Sequence, residues 1–241
     1  MLIRLDKAIS SCRKESRKEI KKHIKTGNVL IDGEVAKNAE LKLNPYEHEI
    51  EVLGQRLNYE KYVYIQMNKP KGFVSATNDN FQKTCVDLLG DDLKSRNLTI
   101  AGRLDKDTEG LILLTDDGGL VHRIISPKKN IEKKYFVKVL GRLEKGDVEK
   151  FEKGIVLDDG YKTLSAKLEL LELEDDSNEI TSCFVTIKEG KFHQIKRMFK
   201  ARGKEVVYLK RLQIGELKLD SNLALGEYRQ LTEKEKEQLE R

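Results

Sequence analysis

The sequence predicts an α+β chain in two parts, and three observations carry that prediction. Residues 1–58 contain two helical patterns and a short hairpin signal, residues 59–241 contain more strand-like runs than helical ones, and those runs do not alternate regularly with helices. Regular alternation would announce a parallel sheet; its absence points to a largely antiparallel, mixed sheet flanked by helices. At 241 residues the chain can form a small and a medium domain, each with its own core.

In the first part, Leu5, Ala8 and Ile9 fall at helical spacing. Ser16 and Glu19 then form an S-x-x-E capping box that opens a second helix, and Gly27 supplies a left-handed stop. Residues 28–31, the pair Asp32-Gly33 and residues 34–36 read as a hairpin, because Asp-Gly favours a type I′ turn. On and just before the second helix, Lys14, Lys18, Lys21 and Lys25 recur at i, i+4, i+7 and i+11, widened by Arg13, Arg17 and Lys22, while Ile20 and Ile24 face inward. Two readings fit this stripe: a surface that tracks a phosphate backbone, or a solvated helix face whose charge Glu15 and Glu19 partly offset.

The polar stretch GQRLNYE at 54–60 reads as a linker. Beyond it, YVYIQMNKPKG reads as a strand that stops at Pro70 and Gly72. Further strand-like runs cover 111–115, 135–140, 164–173, 180–188 and 209–219. Helical patterns fit 143–153, 193–201 and a tail opened by Thr232 and Glu235.

Composition excludes several classes. The excess of 46 basic over 41 acidic residues, +5, is too small to indicate nucleic-acid binding by itself, so local clustering matters more. Three cysteines without paired spacing argue against a disulfide framework, and the absence of a signal-like segment or of a run near the roughly 20 apolar residues of a membrane span predicts a cytoplasmic chain with no membrane partner. GxxxxGK[ST], GxGxxG, HExxH and GxSxG are all missing, so no nucleotide cofactor, metal or serine nucleophile is expected.

What remains is carboxylate chemistry in AGRLDKDTEGLILLTDDGGL, residues 101–120. Asp105, between Arg103 and an apolar strand, can serve as a nucleophile if it is held ionised beside a cation; it can equally be a turn aspartate making an Asx-type hydrogen bond. In EGKFHQIKRMF, residues 189–199, a helix beginning near His193 turns Ile195, Met198 and Phe199 inward and spreads His193, Lys196, Arg197 and Lys200 outside. Cations at a helix start oppose its dipole, so a carboxylate or phosphate neighbour is expected there, unless this is simply a basic surface helix.

These blocks resemble a known family. The helix, capped basic helix and DG hairpin of residues 1–50 resemble the S4-type RNA-binding module; AGRLDKDTEGLILLTDDG, with KPKG at 69–72, KKYFVKV at 133–139, EGKFHQIKRMF and LGEYRQLTEKE at 225–235, resembles the RsuA-type ribosomal RNA pseudouridine synthases in the family's own order. The resemblance implies an S4-like module over 1–58 and a catalytic domain over 59–241. It implies that Asp105 is the nucleophile, that Tyr135 packs on the target base, that Lys196 pairs with the aspartate where many relatives carry Arg, and that Arg103 enters the space a flipped base vacates. It also implies a cofactor-free isomerase acting on ribosomal RNA, with Arg13, Lys14, Arg17, Lys18, Lys21 and Lys25 supplying sequence-independent affinity. HQIKRMF and the short C-terminus are more similar to the small-subunit (16S) branch, whose substrate would be 16S rRNA or an assembling small subunit, met by a monomer. A 23S enzyme and a non-catalytic ribosome-assembly protein are the alternatives.

Overall fold

The structure is a computed structural model and describes residues 2–13, 15–94, 96–171 and 180–240, the last of these without its side chain. Spatial proximity divides the chain into one unit of Met1–Val63 with Gly90–Leu98 and a second of Tyr64–Leu89 with Thr99–Arg241.

In the first unit, helices Leu5–Cys12 and Arg17–Lys25 pack on short strands. The capping box forms as expected: Ser16 Oγ accepts from the Glu19 amide while Glu19 Oε2 accepts from the Ser16 amide at 2.7 Å. Ile20 and Ile24 join Leu5, Ile9, Val29, Ile50 and Val52 in the core. The strands Val29–Ile31 and Glu34–Val35 meet through Asp32 and Gly33, both at positive φ, which is the type I′ geometry that Asp-Gly predicts.

The expected linker at 54–60 is corrected. Strands Ile50–Val52 and Gln55–Arg56 pair through a second tight turn, with Leu53 at φ 54° and Gly54 at φ 75°. A leucine rarely adopts that conformation, so the residues gave no turn signal.

The second unit is built on a nine-stranded sheet whose main path runs Lys167–Leu170, Ile180–Ile187, Lys133–Leu140, Glu205–Ile214, Glu109–Thr115, Tyr64–Lys69 and Tyr228–Gln230, with Leu217–Lys218 and Thr99–Ala101 attached beside it. The pairing of Glu205–Ile214 with Glu109–Thr115 is parallel and divides the sheet into two antiparallel halves. Helices Lys145–Lys153 and Gln194–Lys200 contribute Phe151, Ile195, Met198 and Phe199 to a core with Tyr135, Val137, Val185 and Leu209. Helices Gly118–Ile125 and Glu233–Glu240 contribute to a second core with Leu111 and Leu113. Every residue of Glu109–Thr115 is buried, as a near-continuous apolar run demands when both faces are covered.

The strand expected over 209–219 is two: it ends at Ile214 and turns at Gly215 into Leu217–Lys218. The run expected over 164–173 is a strand only at Lys167–Leu170, and residues 172 and 173 lie outside the described set. The helix Gly118–Ile125 had no sequence signal because two glycines open it; the Asp117 carboxylate stabilises its start by accepting from the Gly119 and Leu120 amides.

Candidate active site

The segment carrying Asp105 links strands Thr99–Ala101 and Glu109–Thr115. Its two glycines have separate reasons to be there. Gly102 lies at φ 89°, and Gly110 at φ 101°, where an added Cβ would sit 2.2 Å from the Arg211 carbonyl oxygen across the parallel pairing. Only glycine tolerates that approach.

Two buried cations hold the loop between them. Arg211 is 1% exposed and donates from Nε to the Leu111 carbonyl at 2.8 Å and from Nη2 to the Gly102 carbonyl at 2.7 Å. Lys69 is fully buried, and its Nζ donates to the carbonyls of Thr108 (2.8 Å), Asp105 (3.0 Å), Pro70 (3.1 Å) and Lys106 (3.3 Å). Burial pushes the Lys69 ammonium below its ordinary value, and nearby acidic groups, Cys85 first, offset part of that push. Carbonyl oxygens rather than a carboxylate solvate both charges, which is how a charge survives burial while fixing backbone. Ser75 completes the clamp, donating to the Leu104 carbonyl at 2.7 Å and accepting from its amide at 2.9 Å.

On this pinned backbone the Asp105 side chain is about one-quarter exposed. Its Oδ2 lies 3.4 Å from Lys196 Nζ and its Oδ1 lies 3.6 Å from His193 Nε2. The same Lys196 Nζ donates to Asp107 Oδ1 at 2.5 Å. One point charge thus serves two carboxylates, a sharing that ammonium permits more readily than the planar fork of Arg. Burial alone would raise the Asp107 carboxyl, but the Lys196 hydrogen bond and charge outweigh it and hold the group below the usual range. The compensation expected for cations at this helix start is therefore present: Lys196 faces Asp105 and Asp107, and Arg197 donates to Asp158 at 2.6 Å and pairs with Asp159 at 2.7 Å.

A cleft opens where these groups meet, lined by Arg103, Asp105, Tyr135, His193, Lys196 and Leu209 among others. Tyr135 is largely buried in strand Lys133–Leu140, and Arg103 is exposed. The structure thus brings together all four residues expected around the reaction.

Several supporting residues escaped the sequence reading. Glu189, 4% exposed, accepts from Tyr161 Oη (2.7 Å), the Leu164 amide (2.8 Å) and Gln194 Nε2 (3.0 Å), while Gln194 Oε1 accepts from the Lys191 amide (2.9 Å). This network shapes the turn that delivers Lys196. His193 takes the left-handed conformation at φ 49° within it, its ring stacked on Phe192 at 3.8 Å. Glu109, whose charge had no evident role, is buried and accepts from Tyr208 Oη at 2.7 Å. Burial and that hydrogen bond push the Tyr208 hydroxyl well above its usual range. The visible signal for Lys69 was its place in KPKG, a lysine ending an apolar strand where solvent would be its default partner.

The second helix presents much of the expected basic stripe to solvent. Arg17, Lys18, Lys21, Lys22 and Lys25 are exposed on helix Arg17–Lys25. Arg13 precedes the helix, as expected, and its guanidinium is paired with Glu15 at 2.8 and 3.0 Å. Lys14 lies outside the described residues. Among the described residues no three His, Cys, Asp or Glu side chains converge as a metal site, and no helix is long and apolar enough to cross a membrane.

A fixed carboxylate beside an ammonium, facing a cleft that also holds a tyrosine, can attack an electrophilic carbon without a cofactor. Comparison with known proteins shows the family. Residues 63–201 match the family described as RNA pseudouridylate synthase, and residues 3–46 match the S4 domain. The chain is 47% identical over 233 residues to an uncharacterized RNA pseudouridine synthase, YtzG, of Bacillus subtilis, covering 97% of this chain and 96% of that one. It is 41% identical over 235 residues to ribosomal small subunit pseudouridine synthase A of Escherichia coli K12, covering 97% and 98%. A crystal structure described as a pseudouridylate synthase superposes with a TM-score of 0.68 at 39% identity, covering 98% of this chain and 99% of that one.

Proposed function

The chain belongs to the RNA pseudouridylate synthase family, in its RsuA-type branch with an N-terminal S4 domain, and from that premise we propose that it isomerises a specific uridine of 16S ribosomal RNA, with Asp105 as nucleophile. The observation that carries the reading is the Asp105 carboxylate 3.4 Å from Lys196 Nζ in the cleft that Tyr135 lines.

A stacked uridine must leave its stack before Asp105 reaches it, at a cost of a few kcal/mol. Arg103, exposed at the rim, offsets part of that cost by entering the vacated space and contacting phosphate. The Tyr135 ring stacks on the extruded uracil. With Asp105 supplying the nucleophile, the C1′–N1 bond breaks, the uracil turns and C1′ joins C5; the C5 proton is lost and N1 gains one, so atoms and electrons balance without a redox partner. Tyr135 assists removal of that proton. Lys196 keeps the carboxylate oriented through the reaction, and Asp107 restrains Lys196 in turn.

The S4 domain supplies affinity through Arg17, Lys18, Lys21 and Lys25, whose contacts are with phosphate and so do not read sequence. The choice of 16S RNA rests on the names of relatives and on HQIKRMF. Pseudouridine mapping in ribosomal RNA from a strain deleted for the gene tests it. Loss of one 16S pseudouridine, restored by the wild-type gene, is expected; loss confined to 23S RNA would contradict the substrate assignment.

A further inference from the structure

Strand Lys133–Leu140 alternates strictly between buried and accessible residues, so it presents different chemistry on its two faces. Tyr135 faces the core and the cleft; Phe136, the next residue, faces the other way. The register places Phe136 directly opposite Phe184 on one neighbouring strand and Lys210 on the other. One step along, Lys138 lies opposite Ser182 and Tyr208, and one step back, Lys134 lies opposite Thr186 and Gln213. Phe136 is 5.8 Å from the Phe184 ring and 6.0 Å from the Tyr208 ring. Lys134 lies 4.4 Å above the Phe184 ring and Lys71 lies 5.1 Å from the Tyr208 ring.

This reverse face is therefore a row of three partly exposed aromatic rings bordered by Lys71, Lys134, Lys138 and Lys210. Three acids lie near it: Glu169, 3.5 Å from Lys134 and also 3.2 Å from Lys167; Asp220, which Arg229 pairs at 2.6 Å; and Glu109, occupied by the Tyr208 hydroxyl. Lysines outnumber acids here, and Lys134, Phe184, Lys210, Lys218, Asp220 and Leu223 are among the residues lining a cleft at this face.

We propose that this face is a second RNA-binding surface, which takes a single-stranded segment by stacking its bases on Phe136 and Phe184 and contacting its phosphates through the four lysines. Aromatic rings on an antiparallel sheet with a cationic border are the elements that sequence-tolerant single-strand recognition requires, since every base has a π-face. A solvated sheet face needs neither three adjacent rings nor lysines on both sides of them. An acidic protein partner would satisfy the lysines but gives the stacked rings no matching role.

The test uses the full chain and a labelled 12-nucleotide oligoadenylate, which contains no uridine for the cleft. Phe136→Leu with Phe184→Leu keeps apolar volume and removes the rings; Lys134→Gln with Lys210→Gln removes charge. The ring pair should weaken binding by about tenfold, and the lysine pair should flatten its salt dependence. Photocrosslinks should map to peptides carrying Phe136 or Phe184, while pseudouridine formation on a short ribosomal RNA fragment is retained. Unchanged affinity in both folded variants, crosslinks confined to helix Arg17–Lys25 or to the Asp105 cleft, or no oligoadenylate binding by the wild-type chain would overturn the proposal. If the ring pair does not fold, the lysine pair and the crosslink map decide.

Discussion

The loop around Asp105 and the helix Arg17–Lys25 both crowd charge into a few residues, yet they use it in opposite ways. In the loop, each cation that matters is buried or directed: Lys69 and Arg211 bind backbone carbonyls, and Lys196 binds Asp105 and Asp107. On the helix, the cations stand exposed in a row. Catalysis needs a carboxylate fixed to within a fraction of an ångström, whereas phosphate contact needs only density of charge. Single substitutions should therefore be drastic in the loop and graded on the helix.

The largest effect short of the nucleophile is expected for Lys69→Met. It leaves the carbonyls of Asp105 and Thr108 without their donor, which should destabilise the fold by about 3 kcal/mol and lower kcat more than a hundredfold in protein that remains folded. Urea unfolding and steady-state kinetics check both; a stable, fully active variant would show that the loop needs no clamp. Lys196→Gln comes next. It should reduce kcat by about two orders of magnitude with a small change in RNA affinity, and Lys196→Arg should recover part of the loss by keeping charge while changing geometry.

On the helix the effects should be graded. Neutralising Lys18, Lys21 and Lys25 together should weaken RNA binding and reduce the slope of log K against log salt by about two, with chemistry on saturated RNA retained. Wild-type salt dependence in that variant would remove the helix from RNA contact.

The smallest expected effect concerns another buried cation. Burial, with Arg211 nearby, pushes Lys133 down to about 8. Between that value and the unfolded pKa near 10.4, the unfolded chain binds more protons than the folded one, so this group makes stability rise with pH across the window. Lys133→Met should lose that rise, as urea unfolding from pH 7.5 to 10 would show.

These contrasts also explain what could be read from the residues. The capping box of Ser16 and Glu19, the Asp32-Gly33 turn and the inward Ile195, Met198 and Phe199 all follow from local patterns, and the structure repeats them. Asp105 could not be told from a turn aspartate by its neighbours alone; the ordered blocks around it singled it out. Neither Lys69 nor Arg211 could be read as a support from its neighbours, because their burial depends on pairing between distant strands: Lys69 lies opposite Gly110 about forty residues on, and Arg211 opposite the same glycine about a hundred residues back. Asp107 looked idle until the fold brought Lys196 to it. Local periodicity reports elements, while the long-range seam between the half-sheets builds the site.

The most direct test of the central claim is single-turnover pseudouridine formation by Asp105→Asn on ribosomal RNA, with RNA binding measured on the same protein. The substitution keeps size and one acceptor oxygen but removes the nucleophilic carboxylate. Binding within a few-fold of wild type with no detectable pseudouridine is the predicted result; product at a rate near that of wild type would contradict it.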